Sequence, residues 1–152
     1  MKKIYFWGIA ILLLKVVIFT LSSFESAASD EMSGFFTKLP VSVLGRVGIM
    51  LPGNLVGVIH FLIRKAAHLF LFFMMGFCTA NFVRNITKDK KKMFWIPLAW
   101  SSLYAATDEI HQYFVPGRSC SFGDWVLDTA GVLLGIGAVF LCMKYIKSGA
   151  ER

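Results

Sequence analysis

Residues 4–21 read IYFWGIAILLLKVVIFTL, an apolar run broken only by Lys15. A run of this length comes close to the ~20 helical residues that cross the hydrocarbon core of a bilayer. Three more follow: Ala66–Val83, Met93 to about Thr107, and Trp125–Met143. The third reaches spanning length only by continuing to Gln112. Across all 152 residues, 57% are apolar and 16% charged, with a mean hydropathy of +0.65. A soluble domain carries about 25% charged residues. The pattern predicts one all-α integral membrane domain over 1–152, with about four transmembrane helices at 4–21, 66–83, 93–112 and 125–143 and no soluble module.

The net charge of +7 is distributed as topology demands. Lys2 and Lys3 precede the first run, Arg84, Lys88 and Lys90 to Lys92 separate the second from the third, and Lys144, Lys147 and Arg152 follow the fourth. Basic clusters flanking apolar runs mark cytoplasmic loops rather than a nucleic-acid surface. Four spans with both termini cytoplasmic place all three clusters on one side, in a cell membrane. Ser26-Ala27-Ala28 after the first run resembles a signal-peptide cleavage site. However, the run exceeds the usual ~7–15-residue core and contains a lysine, so it is read as a retained span.

Between the first and second runs, Ser22–Ile63 begins polar and is then punctuated by Gly34, Pro40, Pro52 and Gly53. It is read as short interfacial or re-entrant helices over the outer face. Three cysteines are odd in number and without metal spacing. Cys78 and Cys142 are expected in the core, and Cys120 lies near Arg118.

This topology sends three polar clusters to the outer face: Arg64–His68, Asp108–Gln112 and Asp124–Asp128. Ionisable groups at such a boundary are costly unless paired, hydrated or in use. Helical spacing puts His60, Arg64 and His68 on one stripe that continues as Phe72 and Gly76. Ser101, Tyr104, Asp108 and either His111 or Gln112 share a face of the third helix, and Asp124, Asp128, Gly131 and Gly135 share one of the fourth. Gly131 and Gly135 form a small-xxx-small pattern that permits close helix approach. Pro116-Gly117 makes a turn that sets Arg118 beside the cluster. Each residue also has a plainer role. His68 reads as an interfacial histidine, Lys65 as a snorkelling anchor and Asp124 as a helix N-cap. Asp128, about a turn inside the boundary, is harder to explain so; Lys15, at comparable depth, is its candidate partner.

These residues carry a family resemblance. Arg64-Lys65-Ala66-Ala67-His68, then Asp108-Glu109-xx-Gln112-x-Phe114-xx-Gly117-Arg118, then Asp124-xxx-Asp128-Thr129-x-Gly131-xxx-Gly135, resemble the VanZ-like family of bacterial membrane proteins. Leu21-Ser22-Ser23-Phe24 resembles the start of that family's outer loop. The resemblance implies a role in low-level resistance to the glycopeptide teicoplanin. It makes Arg64, Lys65, His68, Asp108, Glu109, Gln112, Arg118 and Asp124 signature positions. The chain departs from the pattern at Asp128, where the family usually has Asn.

Two functions follow for the outer cluster. An enzyme acting on a lipid-linked or cell-wall substrate would use His68 or His111 as base and Asp108 or Glu109 as acid or orienter, with Arg64 and Arg118 holding phosphate or carboxylate. No nucleophile motif accompanies them. A binding protein would use Arg64, Lys65, His68, Asp108, Glu109, Gln112, Arg118, Asp124 and Asp128 as a polar pocket for a lipid headgroup, cell-wall precursor or lipophilic glycopeptide. A small transporter or membrane-complex subunit is the alternative, and with four spans it would have to oligomerise. His60, His68, His111, Asp108 and Asp124 are of metal-ligand type, but without diagnostic spacing. No metal or cofactor is therefore expected.

Overall fold

The computed structural model describes residues 2–24 and 53–150, which form four helices: α1 (Lys2–Ser22), α2 (Gly53–Arg84), α3 (Lys90–Tyr113) and α4 (Phe122–Ala150). A chain segment in hydrocarbon must satisfy its own backbone groups, and a helix does so within one segment. At 1.5 Å per residue the 21 residues of α1 reach about 31 Å, which matches the hydrocarbon thickness. Among the described residues, three stretches are long and apolar enough to cross a membrane: Lys2–Ser22, Gly57–Arg84 and Phe122–Ile146. The all-α, multi-span membrane architecture is as expected.

α3 is not among those three, and its polar content explains why. It starts on Lys90, Lys91 and Lys92 and ends on Asp108, Glu109, His111 and Gln112. Yet Ser101, Asp108, Glu109 and Gln112 are buried inside the bundle, while Trp95, Ile96, Trp100, Leu103 and Ile110 are exposed on its outer side. Asp89 caps the helix, its carboxylate accepting from the Lys91 and Lys92 amides.

Two sequence expectations are corrected here. The second helix begins at Gly53 rather than Ala66, so residues 53–63 continue one 32-residue helix instead of forming a short interfacial element. No Pro follows Gly53 to stop it, and apolar residues predominate from Leu55 to Ile63. The remainder of the interfacial reading, residues 25–52, lies outside the described residues. Cys142 is exposed on α4 rather than in the core; Cys78 is buried as expected, and Cys120 is exposed.

The bundle is assembled around α2 and α4. A Cβ built on Gly131 would lie 2.5 Å from the Leu69 carbonyl oxygen, and one on Gly135 would lie 2.7 Å from the Phe77 amide nitrogen. On the facing helix, a Cβ at Gly76 would lie 2.8 Å from Val132 Cα. All three glycines are therefore required for backbone-to-backbone contact, the small-residue packing that holds membrane helices together. Phe72, Met75, Val132, Ile136 and Val139 fill the core beside this seam, and Ile18 closes it from α1.

α1 lies along α2 and α3. Trp7 packs edge-on against Phe77 with ring centroids 5.9 Å apart, and the Tyr104 hydroxyl donates to the Lys15 carbonyl oxygen at 2.8 Å. One end of the bundle thus gathers the start of α1, the end of α2, the start of α3 and the end of α4, where the lysines cluster. The opposite end gathers the end of α1, the end of α3 and the start of α4, together with the middle of α2.

Candidate functional site

The connection from α3 to α4 shapes the second end. The Phe114 and Val115 amides donate to the His111 and Gln112 carbonyl oxygens at 3.0 Å, tightening the last turn of α3, and the Arg118 amide donates to the Val115 carbonyl oxygen at 3.1 Å. Pro116 and Gly117 are the central residues of that turn, and Gly117 has φ 74°. A Pro with fixed φ followed by a residue at positive φ fits the type II pattern, and glycine takes the second position without steric cost. The turn delivers Arg118 back to the end of α1. There Nε donates to the Phe24 carbonyl oxygen at 3.0 Å and Nη2 to that of Leu21 at 3.3 Å. The guanidinium thus satisfies carbonyls that the end of α1 leaves without helical partners.

Below this clamp lies a buried polar layer. Asp108 Oδ2 accepts from the Ser22 hydroxyl at 2.8 Å and from the Gln112 amide at 2.9 Å, and Gln112 also donates to Ser22 Oγ at 3.3 Å. Asp108 is 3% exposed and Ser22 fully buried. Glu109 Oε2 accepts from the Ser121 amide at 2.8 Å, just ahead of α4. His111 turns toward α1, stacked on Phe19 with centroids 4.5 Å apart and with Nε2 3.0 Å from the Ser23 hydroxyl. These three α3 residues lock helices together.

A cleft opens beside that layer, with about 510 Å³ of empty space that is partly open to solvent. α2 contributes Arg64, Lys65 and His68; the turn contributes Gly117, Arg118 and Ser119; Gln112 closes the α3 side and Asp124, Leu127 and Asp128 the α4 side. Lys65 forms an ion pair with Asp124, and its ammonium also lies 5.0 Å over the Phe61 ring. Asp124 falls inside the first turn of α4 and is not its N-cap: the Asp124 and Trp125 amides donate to the Ser121 carbonyl. A carboxylate there still faces the positive end of the helix dipole.

Asp128 stands apart. It is 1% exposed, and neither carboxylate oxygen has a hydrogen-bond partner. The nearest cation-forming group is His68, whose Nδ1 lies 3.8 Å from Oδ2, within ion-pair range but too far for a hydrogen bond. Lys15, expected as its partner, is elsewhere: its ammonium sits 4.7 Å over the Trp100 ring and 4.8 Å over Tyr104. Asp108 and Asp124 are each close enough to act electrostatically on Asp128, and all three act on Glu109.

Of the residues singled out from sequence, Arg64, Lys65, His68, Gln112, Arg118, Asp124 and Asp128 therefore line one cleft. Asp108 and Glu109 are behind it, and His111 faces α1. The side chain of His60 lies outside the described residues. Ser22 figures in the sequence only within the Leu21–Phe24 resemblance, with no role assigned, and Ser121 and Leu127 carry no sequence signal. Among the described residues, no three His, Cys, Asp or Glu side chains form a group that could hold a metal ion.

Residues 6–143 match the family model described as VanZ/LLP1. No curated protein and no solved structure matches the chain.

Proposed function

The chain belongs to the VanZ/LLP1 family of membrane proteins, and from that premise we propose that it binds the anionic headgroup of a lipid-linked envelope or cell-wall component. α3 crosses the bilayer as a fourth span with its polar face inward, and both termini are cytoplasmic. The cleft then opens on the outer face, because every lysine cluster lies at the other end of the bundle. Native Cys120, exposed at the cleft end, tests the orientation: a membrane-impermeant maleimide labels it in intact cells. Labelling only after permeabilisation would reverse the topology.

One observation carries the binding reading: the convergence of Arg64, Lys65, His68 and Arg118 from two separate parts of the chain onto one cleft. A guanidinium pairs two oxygens of a phosphate or carboxylate at once. Holding such a component at the membrane surface would limit access of a lipophilic glycopeptide to its target, which is the expected route to teicoplanin resistance. Glycopeptide susceptibility and envelope lipid composition are compared in cells carrying the native chain, Arg64→Gln or Arg118→Gln. Loss of protection in both variants is expected. Undiminished protection by both overturns the reading.

The proximity of His68 and Asp128 favours a second reading, in which His68 acts as a general base with the Asp128 carboxyl beside it. His68→Gln and Asp128→Asn distinguish the two: chemistry is abolished by either, with envelope lipids reverting to those of cells lacking the protein, while binding weakens by degrees.

A further inference from the structure

Among the described residues, the end of the bundle that holds the cleft contains four carboxylates, and they are not equivalent. Asp108 receives two donors, from Ser22 and Gln112. Glu109 receives the Ser121 amide, and Asp124 pairs with Lys65. Asp128 receives none, although it is the most deeply buried of those lining the cleft, at 1% exposed. A carboxylate presents roughly four lone-pair sites, and leaving them bare in a dry setting costs several kcal/mol. Asp108 and Asp124 nearby add repulsion that a positive group in contact with Asp128 would relieve. His68 is too distant to donate at 3.8 Å, and one ring N–H could serve only one oxygen.

We propose that the missing partner belongs to the ligand: its headgroup carries a primary ammonium beside the phosphate, and Asp128 receives that ammonium while the cleft's arginines receive the phosphate. The inference rests on the reading that the cleft binds an anionic headgroup, and it narrows the class to amino-alkyl phosphates such as phosphoethanolamine. An ammonium brings three donors and one positive charge, matching a carboxylate with two bare oxygens. A zwitterionic headgroup also enters without adding net charge to a partly dehydrated site. A headgroup with hydroxyls alone would supply donors but leave the carboxylate charge unbalanced. A phosphate without donors would bring a further negative charge toward Asp128.

The full chain in nanodiscs is tested by native mass spectrometry for retention of three lipids with matched acyl chains: phosphatidylethanolamine, phosphatidylglycerol and diacylglycerol. The native chain is expected to retain the ethanolamine lipid about tenfold over the glycerol lipid, the ratio for one charge-assisted hydrogen bond. Asp128→Asn, close to isosteric, brings that ratio near one while both phospholipids still exceed diacylglycerol; the thermal transition of the variant is followed to confirm folding. Equal retention of both phospholipids by the native chain, with Arg64→Gln weakening both, overturns the ammonium inference and leaves the anionic-headgroup reading standing. Phospholipid retention no greater than that of diacylglycerol overturns both. Unchanged preference in Asp128→Asn overturns the role of Asp128. Glycerophosphoethanolamine, the same headgroup without chains, identifies the source: its competition supports recognition of the headgroup itself, free or lipid-borne. Lipid retention that it does not diminish supports a membrane lipid as the ligand.

Discussion

Gly135→Ala and Gly137→Ala make the same chemical change on one helix, and the structure predicts opposite outcomes. A Cβ at Gly135 would stand 2.7 Å from the Phe77 amide nitrogen and 3.1 Å from the Phe73 carbonyl carbon, whereas one at Gly137 meets nothing within 4 Å. The Phe73 carbonyl oxygen is closer still, and ordinary contact needs about 3.5 Å, so α4 must retreat from α2 by about an ångström. Both obstacles are backbone, so no side-chain rotation relieves the clash. A gap of about 0.5–1 Å forfeits a quarter to a half of each pairwise attraction across the seam. Lipid tails offer no hydrophobic compensation, because packing itself is what associates these helices. Gly135→Ala should therefore cost about 1–3 kcal/mol. Gly137→Ala should be neutral or stabilising by up to about 1 kcal/mol through helix propensity. Reversible unfolding in mixed detergent micelles, followed by far-ultraviolet circular dichroism, measures both. Coincident unfolding curves, or a more damaged Gly137→Ala, would refute the contact seam as the source of stability.

Three further outcomes follow from the polar layer and its turn. Asp108→Ala leaves the buried Ser22 hydroxyl without its acceptor and Gln112 with only its longer bond to Ser22, and should cost about 2–4 kcal/mol in the same unfolding assay, with Ser22→Ala costing less; the double variant should show coupling of at least about 0.5 kcal/mol. Lys15→Met and Asp128→Asn should combine additively within about 0.5 kcal/mol, since Lys15 lies over Trp100 and Tyr104; coupling well above that would restore the ion pair expected from sequence. Gly117→Ala forces a Cβ into φ 74° and should destabilise by about 1–2 kcal/mol, with Gly117→Asn milder; equal stability of the two would show that the turn rearranges.

Much of the architecture was legible because the bilayer constrains it. Apolar runs of spanning length gave the helices, and the spacing of Gly131 and Gly135 gave the face of α4 that meets α2. Gly76 was placed on the stripe of α2 that continues from His68, and that stripe does meet α4. The helix α2 begins at Gly53, thirteen residues ahead of the span expected from Ala66. A helix emerging from the membrane no longer needs an unbroken apolar sequence, so Arg64, Lys65 and His68 looked like a boundary when they are interior to a helix. The pairing of Lys15 with Asp128 failed for a related reason. Depth along the membrane normal follows from sequence, but rotation about the helix axis places Lys15 on α3's aromatic side and Asp128 on the α2 side.

The same rotation divides the acidic cluster by role. Asp108 and Glu109 are adjacent on α3, so they point about 100° apart around the helix. One reaches Ser22 on α1 and the other the start of α4. A single pair of neighbouring carboxylates thereby ties α3 to the helices on both of its sides, and Arg118 adds a third tie to the end of α1. Those ties hold the far wall of the cleft in place, which leaves recognition to the side chains that face it. Under the proposed binding role, a substitution at Asp108 or Glu109 would act through the position of Gln112 and Arg118, and it should lower stability and affinity together. A substitution at Asp128, which ties nothing, should change ligand preference while leaving the bundle intact. Removing a bare buried carboxylate should even stabilise the unliganded protein, so Asp128→Asn is expected to raise the thermal transition in the absence of ligand. A lowered transition would mean that Asp128 holds the fold, through His68 or otherwise, and that its unpartnered oxygens are not reserved for a ligand.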